Sequence, residues 1–175
     1  MSKSRNTFRQ KFGEAMLPND FKRMEGQTML SKIFGSGRIN LRLEATTKAD
    51  VFGELIEIIT ISGSEFDRQE LLDAVTLRES KMNTNILPGI AVPHGYSAAV
   101  PGIIGALGFS PAGIEYDTND RKPVHLFFML LMDETPREQH LQALSRLLNM
   151  LNSTAVSGIR GYETHQEVYD LLCRF

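Results

Sequence analysis

The chain has 175 residues and a mass of 19.6 kDa, a length that favours one domain around one hydrophobic core. Hydrophobic residues make up 42% of it and charged residues 23%, which excludes disorder of the whole chain. The single cysteine, Cys173, excludes an intramolecular disulfide framework and a cysteine-based zinc cluster. The net charge of −2 argues against a large basic surface for nucleic acid, and no apolar stretch reaches the length of a membrane span. We therefore expect a cytoplasmic protein with no nucleic-acid partner and no direct membrane insertion.

Residues 1–28 differ in charge from the rest of the chain. They carry six Lys/Arg against three Asp/Glu, and they lack the apolar region of a signal peptide. Such a tail can contact an acidic partner, or it can simply be solvated. We expect a flexible basic N-terminal extension over residues 1–28 and one domain over residues 29–175.

The first half of this domain predicts helices around a short strand. MLSKIF (29–34) is typical of a short helix ending at Gly35, and INLRLEA (39–45) alternates as a half-buried strand does. Thr47 is placed to cap a helix that Gly63 closes, and Asp67 with Glu70 forms a capping-box pattern for the next helix. The apolar positions expected on these two helices are Val51, Leu55, Ile58, Ile59, Leu71, Leu72 and Val75.

The second half predicts more strands. PGIAVPHG (88–95) is typical of a strand ending in a tight turn, IIGALGF (103–109) of another strand, and residues 113–123 of a long polar turn. VHLFFMLLM (124–132) is apolar at almost every position, as in a central strand covered on both faces. Thr135 and Pro136 begin a helix whose apolar face is expected at Leu141, Leu144, Leu147, Leu148 and Leu151, and a last helix is expected over residues 164–173. Interleaved helices and strands predict an α/β fold in which helices cover a mixed sheet.

Known sequence motifs narrow the chemistry. The chain has no GxxxxGK[ST] loop and no GxGxxG after a strand, so nucleotide binding has no support in the sequence. It also lacks a GxSxG elbow and an HExxH helix, which removes two common hydrolase classes. The four histidines show no spacing diagnostic of a metal site. We therefore expect neither a cofactor nor a metal.

Three residues can carry chemistry, and each also has an ordinary structural explanation. His94 follows a strand between a proline and a glycine, so it is either a loop histidine or a nucleophile whose neutral imidazole takes up a labile group. His140 lies in the first turns of its helix, where an anion is favoured, although it also fits the margin of the apolar face. Arg78 is on the apolar face of its helix, and its guanidinium group either reaches solvent or binds a phosphate. We expect His125 on the sheet, His165 on the surface and Cys173 as a small apolar residue.

Three segments in order resemble the signatures of one family: RES (78–80), GIAVPHGYS (89–97) and DETPREQHLQALSRLL (133–148). The family is the enzyme IIA domain of the mannitol–fructose class of the phosphoenolpyruvate:sugar phosphotransferase system, which includes the nitrogen-regulatory IIA proteins. The resemblance covers residues 29–175 and implies a single-domain sandwich of helices, mixed sheet and helices, the mannitol-type IIA fold. Tyr96 and His125 differ from the residues that many members carry at these positions.

The resemblance also implies the site and its partners. His94 matches the phosphorylated histidine, Arg78 and His140 match the residues that stabilise the phosphate, and the backbone of Gly95, Tyr96 and Ser97 would bind it. The chain would accept a phosphoryl group from an HPr-type phosphocarrier protein and pass it to a IIB domain, or use it as a signal to a regulatory target. No cofactor is implied, because the donor is a protein.

Two alternatives stay open at this stage. Within the family, the lack of a fused IIB or IIC segment slightly favours the nitrogen-regulatory type over a sugar-transport component. In another class altogether, the chain would be a non-catalytic binding module that retains the IIA fold, as in the cytoplasmic domain of anion transporters.

Overall fold

The computed structural model describes residues 27–62, 66–117, 122–133, 137–153 and 156–175. Three expectations lie outside these ranges: the helix stop at Gly63, the cap at Thr135 and Pro136, and nearly all of the N-terminal extension. Its last two residues, Gln27 and Thr28, belong to the folded domain, because the Gln27 amide donates to the Tyr169 hydroxyl and the Thr28 hydroxyl donates to the Leu172 carbonyl.

Five helices and six strands follow one another along the described chain. The helices are α1 Met29–Phe34, α2 Lys48–Ile61, α3 Arg68–Lys81, α4 Arg137–Leu151 and α5 His165–Leu172. The strands are β1 Ile39–Asn40, β2 Asn85–Leu87, β3 Ile90–Ala91, β4 His94–Tyr96, β5 Ile103–Ile114 and β6 Val124–Met132. Short 3₁₀ turns precede β1 at Ser36–Arg38 and α5 at Val156–Gly161.

The helix starts follow from local capping chemistry. Thr28 and Thr47 form capping boxes at the starts of α1 and α2, and Asp67 caps α3 by accepting from the Gln69 and Glu70 amides. Glu70 does not complete the capping box that the sequence predicts there, because its carboxylate accepts instead from the Ser97 hydroxyl at 2.5 Å. This bond joins the start of α3 to the end of β4.

The strands form one mixed sheet in the order β1-β5-β6-β3-β2, with β4 also paired to β6. Strand β6 pairs antiparallel with β5 and parallel with β3 and β4, so it is the central strand that its apolar sequence predicts. Its side chains alternate between two cores. Leu126, Phe128 and Leu130 face α1, α4 and α5, whereas Phe127, Met129 and Leu131 face α2 and α3. The domain is therefore the expected sandwich of helices, mixed sheet and helices.

Two predictions about strands are wrong in detail. The segment INLRLEA forms only two residues of strand, because the chain bends after Asn40, whose side-chain oxygen accepts from the Arg42 amide. The Leu43 amide still donates to the Phe109 carbonyl on β5, whereas the Glu44 and Ala45 amides donate to the Glu54 carboxylate on α2. The segment before His94 does not end in a tight turn. Strands β3 and β4 pair with β6 in the same register on both sides of Pro93, so they are one extended run that proline interrupts because it lacks an N–H.

The apolar face of α4 also differs from the expected one. Leu141 is 67% exposed and Leu148 is 43% exposed, whereas Leu147 and Leu151 are buried as predicted. The buried stripe runs from His140 through Ala143 and Leu147 to Met150 and Leu151. This stripe has the spacing of three and four residues that one helix face requires, and it begins with a histidine that hydropathy does not select.

Candidate functional site

His94 lies at the start of β4, on the same sheet face as Val92 and on the side of α4. Its Nδ1 is 2.9 Å from the Val92 carbonyl oxygen, so Nδ1 carries the proton and donates it. The neutral ring therefore presents an unprotonated Nε2, to which none of the described residues donates a hydrogen bond. Burial of the half-exposed ring, helped by the charge of Arg78, lowers the pKa of His94 below its usual 6.5, although the Val92 bond and Glu79 act in the opposite direction. An imidazole held in this tautomer is a nucleophile at neutral pH.

A chain of hydrogen bonds holds the carbonyl that orients His94. The Val92 amide donates to the Thr84 carbonyl at 3.0 Å, and Thr84 in turn donates to Glu79 from its hydroxyl at 2.6 Å and from its amide at 3.3 Å. Glu79 is 8% exposed, and Lys48 pairs with it at 2.9 Å. A charged pair on α2 and α3 thus fixes the strand segment on which His94 depends.

Arg78 is in the last turn of α3, as the sequence predicts. Its side chain is half-buried, and Nη1 donates to the carbonyl of Met82 at 3.0 Å, which satisfies an acceptor at the end of that helix. One edge of the guanidinium is thereby fixed, while its charge still acts on the His94 ring. The charge of Arg78 on α3 therefore acts on the ring of His94 on β4.

His140 is only 4% exposed, yet it lies beside the same site. The ring of Tyr96 is next to both histidine rings, with centroids 6.4 Å from His94 and 5.9 Å from His140. Nε2 of His140 is 3.1 Å from Oδ1 of Asp133, the residue that directly follows β6. Tyr96 itself is 46% exposed, so it forms the outer surface between the two histidines.

The backbone of residues 95–97 is more constrained than the sequence suggests. A Cβ on Gly95 would come within 2.8 Å of the Ala74 carbonyl carbon and the Val75 nitrogen, so glycine is required here for the close packing of β4 on α3. The Ser97 amide already donates to the Met132 carbonyl at 2.9 Å. Since alternate residues of a parallel strand bond to the same neighbour, the Tyr96 amide lies on the side of β4 away from β6.

The other singled-out residues lie apart from this site. His125 is on β6, where Nδ1 donates to the Ser110 carbonyl, and His165 is exposed at the start of α5, as expected. Cys173 is a partly exposed residue at the end of α5. Within the described ranges, no three His, Cys, Asp or Glu side chains are grouped to hold a metal ion, and no helix there is long and apolar enough to cross a membrane.

Three contributors to the site are not among the residues that the sequence predicts: Val92, Glu79 and Asp133. The Val92 carbonyl left no signal, because any residue carries one. Glu79 directly follows Arg78, and Asp133 directly follows the central strand, so both are in the motifs that drew attention to their neighbours. A carboxylate beside a candidate basic residue was the available clue.

The family model "Phosphoenolpyruvate-dependent sugar phosphotransferase system, EIIA 2" matches residues 32–174. The chain belongs to this family. The "PTS system fructose-specific EIIA component" of Haloferax volcanii is 32% identical over 146 residues, which are 83% of this chain and 95% of that protein. The "PTS system fructose-specific EIIABC component" of Bacillus subtilis is 35% identical over 122 residues, which are 70% of this chain but only 19% of that longer protein.

Solved structures extend the likeness to both branches of the IIA family. The crystal structure of the nitrogen regulatory protein IIA-Ntr from Neisseria meningitidis has a TM-score of 0.77 and 26% identity, covering 83% of this chain and 99% of that one. The complex of enzyme IIAMTL with phosphorylated enzyme IIBMTL from Escherichia coli includes a chain with a TM-score of 0.68 and 22% identity, covering 81% and 98%. The mannitol-type IIA fold and a phosphocarrier role within the phosphotransferase system follow from these matches.

Proposed function

We propose that this IIA protein is a cytoplasmic histidine phosphocarrier that takes a phosphoryl group on Nε2 of His94. The observation that carries the proposal is the bond from His94 Nδ1 to the Val92 carbonyl, which leaves Nε2 as the unprotonated ring nitrogen. The donor is an HPr-type protein that bears a phosphohistidine. The P–N bond of the donor breaks as a P–Nε2 bond forms, the donor nitrogen recovers its electron pair, and His94 keeps the Nδ1 proton.

The neighbours of His94 supply alignment and positive charge, which are the main needs of phosphoryl transfer. Arg78 offers guanidinium donors that its bond to Met82 leaves available, and its charge favours the incoming dianion. His140 and the Tyr96 amide complete the phosphate surroundings in this proposal. We leave the Gly95 and Ser97 amides out, because alternate residues of β4 face β6 and these two amides are on that side.

The phosphoryl group then passes to a IIB domain or serves as a signal to a regulatory target. A IIB partner is supported by the fold likeness to a IIA chain solved with its phosphorylated IIB partner. A regulatory target is supported by the likeness to the nitrogen regulatory protein IIA-Ntr. In both cases the acceptor must approach the exposed Tyr96 side of the site.

The test is phosphorylation followed by intact-protein mass spectrometry. The chain is incubated with phosphoenolpyruvate, enzyme I and either HPr or its nitrogen-branch relative. We expect one acid-labile phosphoryl group, its loss in His94→Ala and its retention in the matched surface variant His165→Ala. The faster carrier identifies the branch. Failure of the folded protein to accept phosphate from either carrier would refute the proposal and favour a binding module.

A further inference from the structure

Asp133 is placed to control which nitrogen of His140 can meet a phosphoryl group. Oδ1 of Asp133 is 3.1 Å from His140 Nε2, Oδ2 accepts from the Gly102 amide at 3.3 Å, and the Asp133 amide donates to the Gly102 carbonyl at 2.9 Å. Two bonds from the carboxylate and one from the Asp133 backbone thus fix this residue between α4 and the loop before β5. The Asp133 side chain is 25% exposed and the His140 side chain only 5%.

The bond has a definite consequence for the ring. An ionised carboxylate only accepts hydrogen bonds, so the proton of the shared contact is on His140 Nε2. Within the described residues no hydrogen bond reaches Nδ1, so Nδ1 is the ring nitrogen that Asp133 leaves available. In a neutral ring Nδ1 would carry a lone pair, which repels a phosphoryl oxygen. Only the doubly protonated ring can donate a hydrogen bond to phosphate from Nδ1 while Nε2 keeps its hydrogen bond to Asp133.

We infer that Asp133 is a positioning residue that holds His140 by Nε2 and thereby makes its Nδ1 the donor to the phosphoryl group on His94. The inference rests on the proposed function of His94. When the phosphoryl group arrives, His140 takes up one proton at Nδ1 from a hydronium ion or a buffer acid of the solvent, and it releases that proton to the solvent when the group leaves. The imidazolium then lies between two anions, the Asp133 carboxylate and the phosphoryl group, as the histidine of a catalytic triad lies between its aspartate and the reacting centre.

The charged and titratable groups around His140 agree with this assignment. Asp133 and Tyr96 are its direct neighbours in the described structure, and Tyr96 in turn contacts His94, on which Arg78 acts. Asp133 is the only carboxylate of the described residues that contacts the His140 ring.

The experiment compares Asp133→Asn with Asp170→Asn, a matched change at an exposed aspartate that accepts from Gln166 on α5. Asparagine keeps the size and an acceptor but removes the charge. We expect phosphorylation of His94 to slow by about 10- to 100-fold in Asp133→Asn, the usual range for a hydrogen bond to a charged group, and to be unchanged in Asp170→Asn. Nitrogen-15 NMR of the phosphorylated wild type should show both His140 nitrogens protonated, and Asp133→Asn should show an unprotonated Nδ1.

A double-mutant cycle separates this role from a structural one. If Asp133 acts through His140, Asp133→Asn should slow phosphorylation little in a protein that already carries His140→Gln. If Asp133 instead acts through Gly102 or the stability of the fold, Asp133→Asn should slow phosphorylation in that protein too. Equal rates for Asp133→Asn and the wild type, or an unprotonated Nδ1 in the phosphorylated wild type, would overturn the inference while His94 is still phosphorylated. Failure of the wild type to accept phosphate would instead overturn the proposed function.

Discussion

Gly95→Ala is the substitution that tests most directly how the fold positions the site. The new Cβ would be 2.8 Å from the Ala74 carbonyl carbon and the Val75 nitrogen, both backbone atoms of α3 that cannot rotate away. Ordinary contacts between such atoms begin near about 3.5 Å, so helix and strand must separate by about 0.7 Å. Overpacking of this kind costs about 1–3 kcal/mol of unfolding free energy.

The assay is thermal and urea unfolding alongside Gly37→Ala, a glycine that has no atom near its added Cβ and no left-handed backbone. For a chain of this length, about 1–3 kcal/mol corresponds to a fall in melting temperature of roughly 2–12 °C. Gly37→Ala should be neutral or stabilise by up to about 1 kcal/mol, because alanine restricts the unfolded chain.

The same displacement should reach the chemistry. Arg78 is on α3 and His94 precedes Gly95, so separating helix from strand by about 0.7 Å moves the guanidinium relative to the acceptor nitrogen. Misplacement of about 1 Å in a catalytic group can cost about 100-fold in rate. If Gly95→Ala were as stable as Gly37→Ala and were phosphorylated at the same rate, close packing at Gly95 would not be what positions the site.

Two further predictions concern the residues that orient His94. Glu79→Gln should lower the unfolding free energy by about 1–3 kcal/mol, because Lys48 and Thr84 lose a charged partner. Urea unfolding measures this loss, with the exposed change Glu57→Gln as the control. An equal loss of unfolding free energy in both variants would contradict the prediction. NMR should find the His94 pKa below 6.5, since burial opposes its charged form. In the unfolded chain this ring binds a proton more readily, so it should reduce stability as the pH falls through 6.5 and below, and a titration midpoint above 6.5 would contradict the assignment.

The elements with a strong local cause were predictable. Thr47 and Asp67 cap their helices because a side-chain oxygen meets nearby amides, and that geometry involves only a few consecutive residues. The run from Val124 to Met132 predicts a strand covered on both faces because almost every residue in it is apolar, which is also a property of consecutive residues. The sequence failed where a distant group intervened. The Glu54 carboxylate on α2 accepts from the amides of Glu44 and Ala45, which the pattern places in a strand, and the buried face of α4 begins at His140 because Asp133 satisfies that ring.

The amino-acid sequence by itself determined the α/β class, the central strand and the starts of α2 and α3, and it supplied Arg78, His94 and His140 as candidate site residues. These depend on periodicity, capping and motif spacing, all of which are local properties of the chain. Only the tertiary structure decided that Val92 holds the His94 tautomer, that Glu79 and Lys48 support that segment, and that Asp133 pairs with His140. Those contacts join different strands and helices, and hydrogen bonds between distant elements exist only once the sheet has fixed where each element ends.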